Sequence, residues 1–220
     1  MKKPQKSLKE QNTWLIRAAL VGHAVGFGFV LLQAAGDIQL GTADFTKKLQ
    51  QMALPGSLSL GVIALTRLVL LGLIPPTLRD RVVHWKWKHP LPGARAFSQI
   101  GPGDPRVNMQ RLRELYGKLP IAAAKQSQLF YTIYKKHENE VAVLDAHKSY
   151  LAARDIATIN LILLFVLPVI AAAATRNIKL STLYALVLLI AYAATCWAAK
   201  VYGTRLVQNS LAIASQAKPP

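Results

Sequence analysis

Arginine, lysine and tryptophan are concentrated between positions 79 and 113, and these residue types suit the binding of phosphate groups and bases. A guanidinium group binds phosphate through two parallel hydrogen bonds, and an indole ring stacks on a nucleobase. Arg95 lies in a stretch rich in proline and glycine, which would hold its guanidinium group in position. The residues that we predict to bind such a ligand are Arg79, Arg81, Trp85, Lys86, Trp87, Lys88, Arg95, Arg106, Arg111 and Arg113.

A membrane surface would also attract these basic and aromatic side chains. Anionic lipid head groups attract Lys and Arg near the surface by about 1 kcal/mol for each residue. Tryptophan near the end of a membrane span is often an anchor at the interface. The same residues are therefore consistent with a nucleotide, an oligonucleotide or a lipid surface as their partner.

Three polar residues interrupt apolar runs of the chain: Arg67, His23 and Asn160. A cation near the middle of a membrane span costs several kcal/mol unless it faces water or a partner. We predict that Arg67 and His23 line a pore or a cavity between subunits, and Asn160 is one available partner for Arg67. The alternative for Arg67 is a long side chain that reaches back to the membrane surface.

The sequence lacks the usual catalytic and metal-binding patterns. His84 and His89 are five residues apart, and His137 and His147 are ten apart. Paired zinc ligands on a helix are usually about three or four residues apart. Gly-x-Ser-x-Gly, Gly-Lys-Ser and Rossmann patterns are missing as well. We therefore predict no catalytic residue, no metal site and no cofactor, and we expect that the protein is not an enzyme.

The composition separates this chain from ordinary soluble proteins. Its 220 residues are 52% apolar and 17% charged, with 27 Lys plus Arg against 10 Asp plus Glu. Soluble domains carry about 25% charged residues. The single cysteine excludes a disulfide framework, and the apolar content excludes a disordered chain. Four runs are nearly free of charge: 18–35, 58–75, 156–174 and 180–199.

Each of these runs is long enough to cross the hydrocarbon core of a bilayer, about 30 Å, as a helix. A signal peptide is the alternative for the first run, although that run is long and lacks a good cleavage site. Lys and Arg are most frequent in the two termini and the middle segment, which places all three in the cytoplasm. The predicted order is a basic N-terminus (1–17), a first transmembrane helix pair (18–75), a basic cytoplasmic helical domain (76–155), a second transmembrane helix pair (156–199) and a cytoplasmic tail (200–220). The predicted fold is thus an all-α membrane protein.

The middle segment, residues 76–155, is expected to contain short helices. Proline and glycine predict a constrained loop over residues 89–103. Asp104 followed by Pro105 predicts a helix start, and Gly117 predicts its end. A second helix is predicted from about Ile121 to His137, and a third from about Glu140 directly into the following span. Eighty residues are few for a core of their own, so we expect contacts between copies of the chain in an oligomer.

Two helix pairs around a basic insert resemble the four-span pore-forming membrane effectors of bacterial antiphage systems. The stretch WKHPLPGARAFS at 87–98, followed by Asp104-Pro105-Arg106, is similar to Hailong-type effectors that are paired with a nucleotidyltransferase. The resemblance implies a location in the bacterial inner membrane. It also implies a short single-stranded DNA ligand that holds an oligomeric channel closed until infection removes it.

Together these features predict an oligomeric inner-membrane channel that is controlled by a nucleotide or single-stranded oligonucleotide and acts by membrane depolarisation. Four spans alone pack without a pore, so we expect a cyclic homo-oligomer, with a tetramer favoured. The alternative is a structural or scaffold membrane protein that binds anionic lipid or a partner through its basic surface. An enzyme that acts on lipid is a third possibility.

Overall fold

The computed structural model describes residues 12–34, 68–69 and 71–216. These residues are mostly helical and contain no strand, which confirms the predicted helical class. Much of the second predicted span, including Arg67, lies outside them. Within these ranges, six α-helices have both ends described: α1 (Thr13–Ala34), α2 (Pro76–His84), α3 (Met109–Tyr116), α4 (Ala123–His137), α5 (Val141–Thr175) and α6 (Ile178–Gln216).

Three of these helices, α1, α5 and α6, are long and apolar enough to cross a membrane. Large apolar side chains on α5 and α6 are exposed, among them Phe165, Val169 and Ile190. Exposed apolar surface of this kind is expected where a helix contacts lipid. Three long apolar helices are typical of a protein embedded in a membrane.

The chain divides into two compact units. Among the described residues, the first unit comprises 76–154 and 196–216, and we call it the basic unit. The second comprises 12–34, 68–69, 71–75 and 155–195, and we call it the apolar unit.

The core of the apolar unit is built where α1 packs on α5 and α6. Ile16 and Leu20 of α1 form one buried cluster with Ile159 and Leu163 of α5. A second cluster joins Val30 of α1 to α5 and α6; its other buried members are Ala171, Tyr184 and Leu188. The helix α1 is apolar on all sides, and its buried residues Ile16, Leu20 and Val30 lie on the one side that packs against α5 and α6.

The core of the basic unit combines the middle segment with the C-terminal part of α6. Leu112 of α3 and Ile133 of α4 are fully buried against Val207 and Leu211. The middle segment therefore does not form a core alone, because residues of α6 complete it within the same chain. The segment that we expected as a tail is helical as far as Gln216.

The predicted helix start at Asp104 and Pro105 is wrong, since α3 begins at Met109. Asn108 is the cap, and its side-chain oxygen accepts a hydrogen bond from the Arg111 backbone N–H at 2.9 Å. The Asp104 carboxylate instead accepts from the backbone N–H and the guanidinium of Arg106. The predicted end of the helix is confirmed: Gly117 has φ of 73°, a left-handed conformation that suits glycine.

The predicted loop at 89–103 is wrong in part, because its middle is helical. A 3-10 helix covers Pro92–Arg95 and a π-helical turn covers Ala96–Ile100. The Gln126 side chain of α4 holds this turn: its oxygen accepts from the backbone N–H of Phe97 at 3.0 Å and its nitrogen donates to the backbone oxygen of Ile121 at 2.7 Å. Arg95 is thus held on a short, packed helix.

The helix predicted from Ile121 to His137 is confirmed, with an observed start at Ala123. The helix predicted from Glu140 into the following span is confirmed as α5.

Candidate anion-binding site

One face of α2 brings charged and polar side chains into the basic unit. Arg79, Asp80, Val83 and His84 are buried, and their spacing of three or four residues places them on one side of the helix. The helix ends at His84. Trp85, with φ of 55°, then turns the chain in a left-handed conformation. This turn places Lys86 next to His84 at the end of α2.

His84 and Lys86 line a hollow of about 260 Å³ in the basic unit, together with Arg95 and two residues of α6, Lys200 and Thr204. Pro92 completes its wall. Three of these side chains are cationic and none is a carboxylate. Converging Lys and Arg side chains without an acid are suited to bind an anion such as a phosphate group. We refer to this site as the cationic hollow.

The pKa of His84 reflects the positive charge around the cationic hollow. The pKa of His84 is lowered from 6.5 to about 4, mainly by burial and then by the charges of Arg95, Lys200, Lys86 and Arg154, in that order. A buried imidazole surrounded by cations is disfavoured in its charged form. At neutral pH the hollow therefore contains a neutral histidine and three positive charges.

A buried hydrogen-bond network fixes the orientation of His84. The Tyr150 hydroxyl donates to Oδ1 of Asp80 at 3.0 Å, and Arg154 Nη1 donates to the same oxygen at 3.2 Å. His84 Nε2 lies 3.2 Å from the Tyr150 hydroxyl. Because the hydroxyl proton is directed to Asp80, His84 Nε2 is the donor in this contact.

Each predicted tryptophan lies beside a cation of its own chain. Lys200 Nζ is 3.6 Å from the ring centroid of Trp85, and Arg81 Cζ is 5.7 Å from that of Trp87. Both indole rings are largely exposed. These cation–π contacts hold Lys200 and Arg81 in place, and they leave the edges of both rings open.

A second basic hollow, of about 440 Å³, lies around Trp87. Arg81, Lys88 and His89 line it beside Asp80. We call it the tryptophan hollow. Five of the ten predicted ligand-binding residues line one of the two hollows: Arg81, Lys86, Trp87, Lys88 and Arg95.

Four of the remaining predicted residues lie elsewhere in the basic unit. Arg79 is buried in α2 and lines neither hollow. Arg106 pairs with Asp104 at 2.7 Å, Arg111 pairs with Glu114 at 2.8 Å, and Arg113 is exposed on α3. Trp85 contributes indirectly, through its contact with Lys200.

Sequence reasoning missed Lys200, Thr204 and His84 as members of the site. Lys200 follows the last apolar run directly, and a helix that continues past this run places Lys200 and Thr204 on the same face, four residues apart. That spacing was the available signal. Their proximity to Arg95 depends on how distant parts of the chain pack.

The predicted intramembrane residues His23 and Asn160 are brought together in the apolar unit. His23 Nε2 lies 2.7 Å from Oδ1 of Asn160. The Asn160 amide donates to the backbone oxygen of Ala191 at 3.2 Å and to the Thr195 hydroxyl at 3.1 Å. Polar groups within a bilayer need such internal partners. Arg67, the third residue of this prediction, lies outside the described residues.

Within the part of the chain that the structure describes, no group of three or more His, Cys, Asp or Glu side chains is arranged to hold a metal ion. Comparison of this chain with family models, curated proteins and solved structures gives no match.

Proposed function

We propose that this protein is a membrane channel whose state is controlled by a phosphate-bearing ligand in the cationic hollow. The observation that carries the proposal is the convergence of Lys86, Arg95 and Lys200 around a neutral, buried His84 with no carboxylate in the lining. Such a site attracts an anion of high charge density, such as a phosphate group, more strongly than it attracts a neutral solute.

The proposed membrane arrangement has four spans in two pairs. The helices α1, α5 and α6 provide three, and residues 58–75 provide the fourth. Both termini and the middle segment lie in the cytoplasm of a bacterial cell in this proposal, because they hold most of the Lys and Arg residues. A pore requires several copies of the chain, and a tetramer is our preferred assembly. His23 and Arg67 supply polar residues of its lining in this proposal, and the buried Asn160 holds His23 in place.

The proposed ligand is a nucleotide or a short single-stranded DNA. Its support is the resemblance of residues 87–98 to Hailong-type antiphage effectors, together with the two basic hollows that residues 87–92 and Arg95 help to line. A nucleotidyltransferase would then be the partner that makes the ligand. Membrane depolarisation during infection would be the outcome of channel opening.

The experiment that tests this function measures ion flux and ligand binding with the purified full chain. The protein is reconstituted into phosphatidylcholine vesicles, and flux is recorded with and without a short single-stranded DNA. Binding is measured in detergent at two salt concentrations. Affinity should fall by about 0.7 log units per log unit of salt for each phosphate contacted.

The matched variants are Arg95→Gln and Lys125→Gln, each of which removes one positive charge. Lys125 is exposed on α4 and lines neither hollow. Arg95→Gln should weaken DNA binding about tenfold or more, because hydrogen bonds to charged groups contribute about 1.5–3 kcal/mol. Lys125→Gln should change it less than about twofold. No flux in any state would contradict the channel, and equal effects of the two variants would contradict the site.

The alternative function, a scaffold that binds anionic lipid, is favoured by one observation. Trp85, Trp87 and Trp197 are all exposed in the basic unit, and Lys or Arg lies beside the first two. Exposed tryptophan beside basic residues is common at membrane interfaces. In this case phosphatidylglycerol would raise the unfolding temperature of the protein, whereas DNA would neither bind tightly nor change the flux.

A further inference from the structure

The basic unit contains a third cavity, of about 280 Å³, which is mainly apolar. Residues of α4, α5 and α6 and of the 3-10 helix Pro92–Arg95 surround it. Its wall includes four aromatic rings: Phe130, Tyr131, Tyr134 and Tyr150. We call it the aromatic cavity. Ligand sites usually measure about 300–1,000 Å³, so this cavity is suited to one small ring system.

Asp80 is the acid in the wall of the aromatic cavity. The hydrogen bonds from Tyr150 and Arg154 both end on its Oδ1. Oδ2 therefore retains the capacity to accept a further hydrogen bond. Asp80 is only 8% exposed, and Oδ2 keeps some contact with solvent, so a ligand that displaces this solvent must replace the lost hydrogen bond with a donor of its own.

The charges around Asp80 define what kind of donor fits. Arg154 already pairs with the carboxylate at 3.2 Å, so the acid is compensated. A second cation would be repelled by Arg154. A neutral N–H group avoids this repulsion, and a flat ring that carries it would pack on the aromatic walls.

We propose that the aromatic cavity binds a neutral, planar nitrogen heterocycle with an amino group, whose N–H donates to Oδ2 of Asp80. A nucleobase has this chemistry. The cavity shares Asp80, Leu91 and Ser127 with the tryptophan hollow and Pro92 with the cationic hollow. The inference rests on the proposed function in one respect: if the ligand is a nucleotide, its base occupies the aromatic cavity and its phosphate a basic hollow.

The test uses nucleosides, which carry no phosphate. Adenosine, guanosine and cytidine each have an amino group on the base, and purine riboside has none. Calorimetry with the full-length protein in detergent should show that adenosine binds, and that it binds about tenfold or more tighter than purine riboside. Binding of inorganic polyphosphate, measured in parallel, reports the basic hollows separately.

Two neighbouring positions on α4 provide the variants. Ser127 lines the aromatic cavity, whereas Gln128 is exposed and outside it. Ser127→Leu should abolish nucleoside binding by filling the cavity, and Gln128→Leu should leave it unchanged. If Ser127→Leu does not fold, Leu151→Trp, which fills the cavity from α5, replaces it and should also abolish nucleoside binding.

Three results would overturn the inference: no binding of any amino-bearing nucleoside, equal affinity for adenosine and purine riboside, or unchanged binding in the cavity-filling variant. Failure of the proposed function looks different. In that case polyphosphate and DNA do not bind or do not alter ion flux, whatever the nucleosides do.

Discussion

Acidification should destabilise the basic unit through His84. The folded chain holds the pKa of His84 at about 4, against an ordinary value of 6.5. The unfolded chain therefore takes up a proton between pH 6.5 and 4 that the folded chain does not bind. Stability contributed by neutral His84 is present above pH 6.5 and is lost progressively as the pH falls towards 4.

The size of this effect follows from the shift in pKa. Each pKa unit corresponds to about 1.4 kcal/mol, so lowering the pKa of His84 from 6.5 to about 4 amounts to about 3 kcal/mol. Burial of the ring makes the largest contribution, followed by Arg95 and Lys200. An anion bound in the cationic hollow offsets the charges of Arg95 and Lys200. Phosphate should therefore raise the pKa of His84.

The assay is a proton–carbon NMR titration of the labelled imidazole rings of the full chain in detergent. The chain contains five histidines, and the resonance missing from His84→Gln identifies the one of interest. The titration is repeated with inorganic phosphate. Thermal unfolding at pH 7 and pH 5 should show a loss of stability in the wild type that is smaller in His84→Gln, whose side-chain amide retains a donor for Tyr150.

A pKa of 6 or above for His84 without phosphate would refute this reasoning, because the ring would then be neither buried nor surrounded by cations. A low pKa that phosphate leaves unchanged would refute anion binding in the hollow. The second result would leave the network of Asp80, Tyr150 and His84 intact, so the two failures are distinguishable.

Two further predictions concern packing and the intramembrane polar pair. Gly203→Ala should lower the free energy of unfolding by about 1–3 kcal/mol, because the added Cβ would lie 2.9 Å from Cγ of Pro92. Gly72→Ala, whose Cβ would have no neighbour within 4 Å, is the control in a thermal melt, and equal effects of the two variants would contradict close packing at Gly203. Asn160→Leu should lower the free energy of unfolding by about 0.6–2 kcal/mol, because it removes the partner of His23. A double-mutant cycle with His23→Leu should show coupling between the two positions, and additive effects would mean that the 2.7 Å contact does not contribute to stability.

The helices of the chain were largely predictable because their patterns are local. Leu129 and Ile133 recur at helical spacing in α4, and the glycine at 117 ends α3 as expected. The start of α3 was not predictable from Asp104, because its carboxylate binds Arg106 two residues later and Asn108 takes the capping role. The hydrogen bonds that Asp104 makes with Arg106 depend on the local fold of the chain, which the spacing of residues does not show.

Two of the three cations in the cationic hollow were predictable from the chemistry of one segment. Lys86 and Arg95 lie close in sequence, in a stretch whose composition marks them as ligand candidates. Lys200 belongs to another part of the chain and enters the hollow through the packing of α6. The aromatic cavity is still harder to predict from the sequence, because its rings come from α4 and α5 and its acid comes from α2.

The shared core of the basic unit has a consequence for the order of events during synthesis. Leu112 and Ile133 leave the ribosome well before Val207 and Leu211, and the apolar residues 156–195 are made in between. The middle segment therefore cannot complete its core yet, and its apolar surface stays exposed while later helices are inserted into the membrane. Contacts between such distant residues form slowly, so a chaperone or a neighbouring chain has time to cover this surface first.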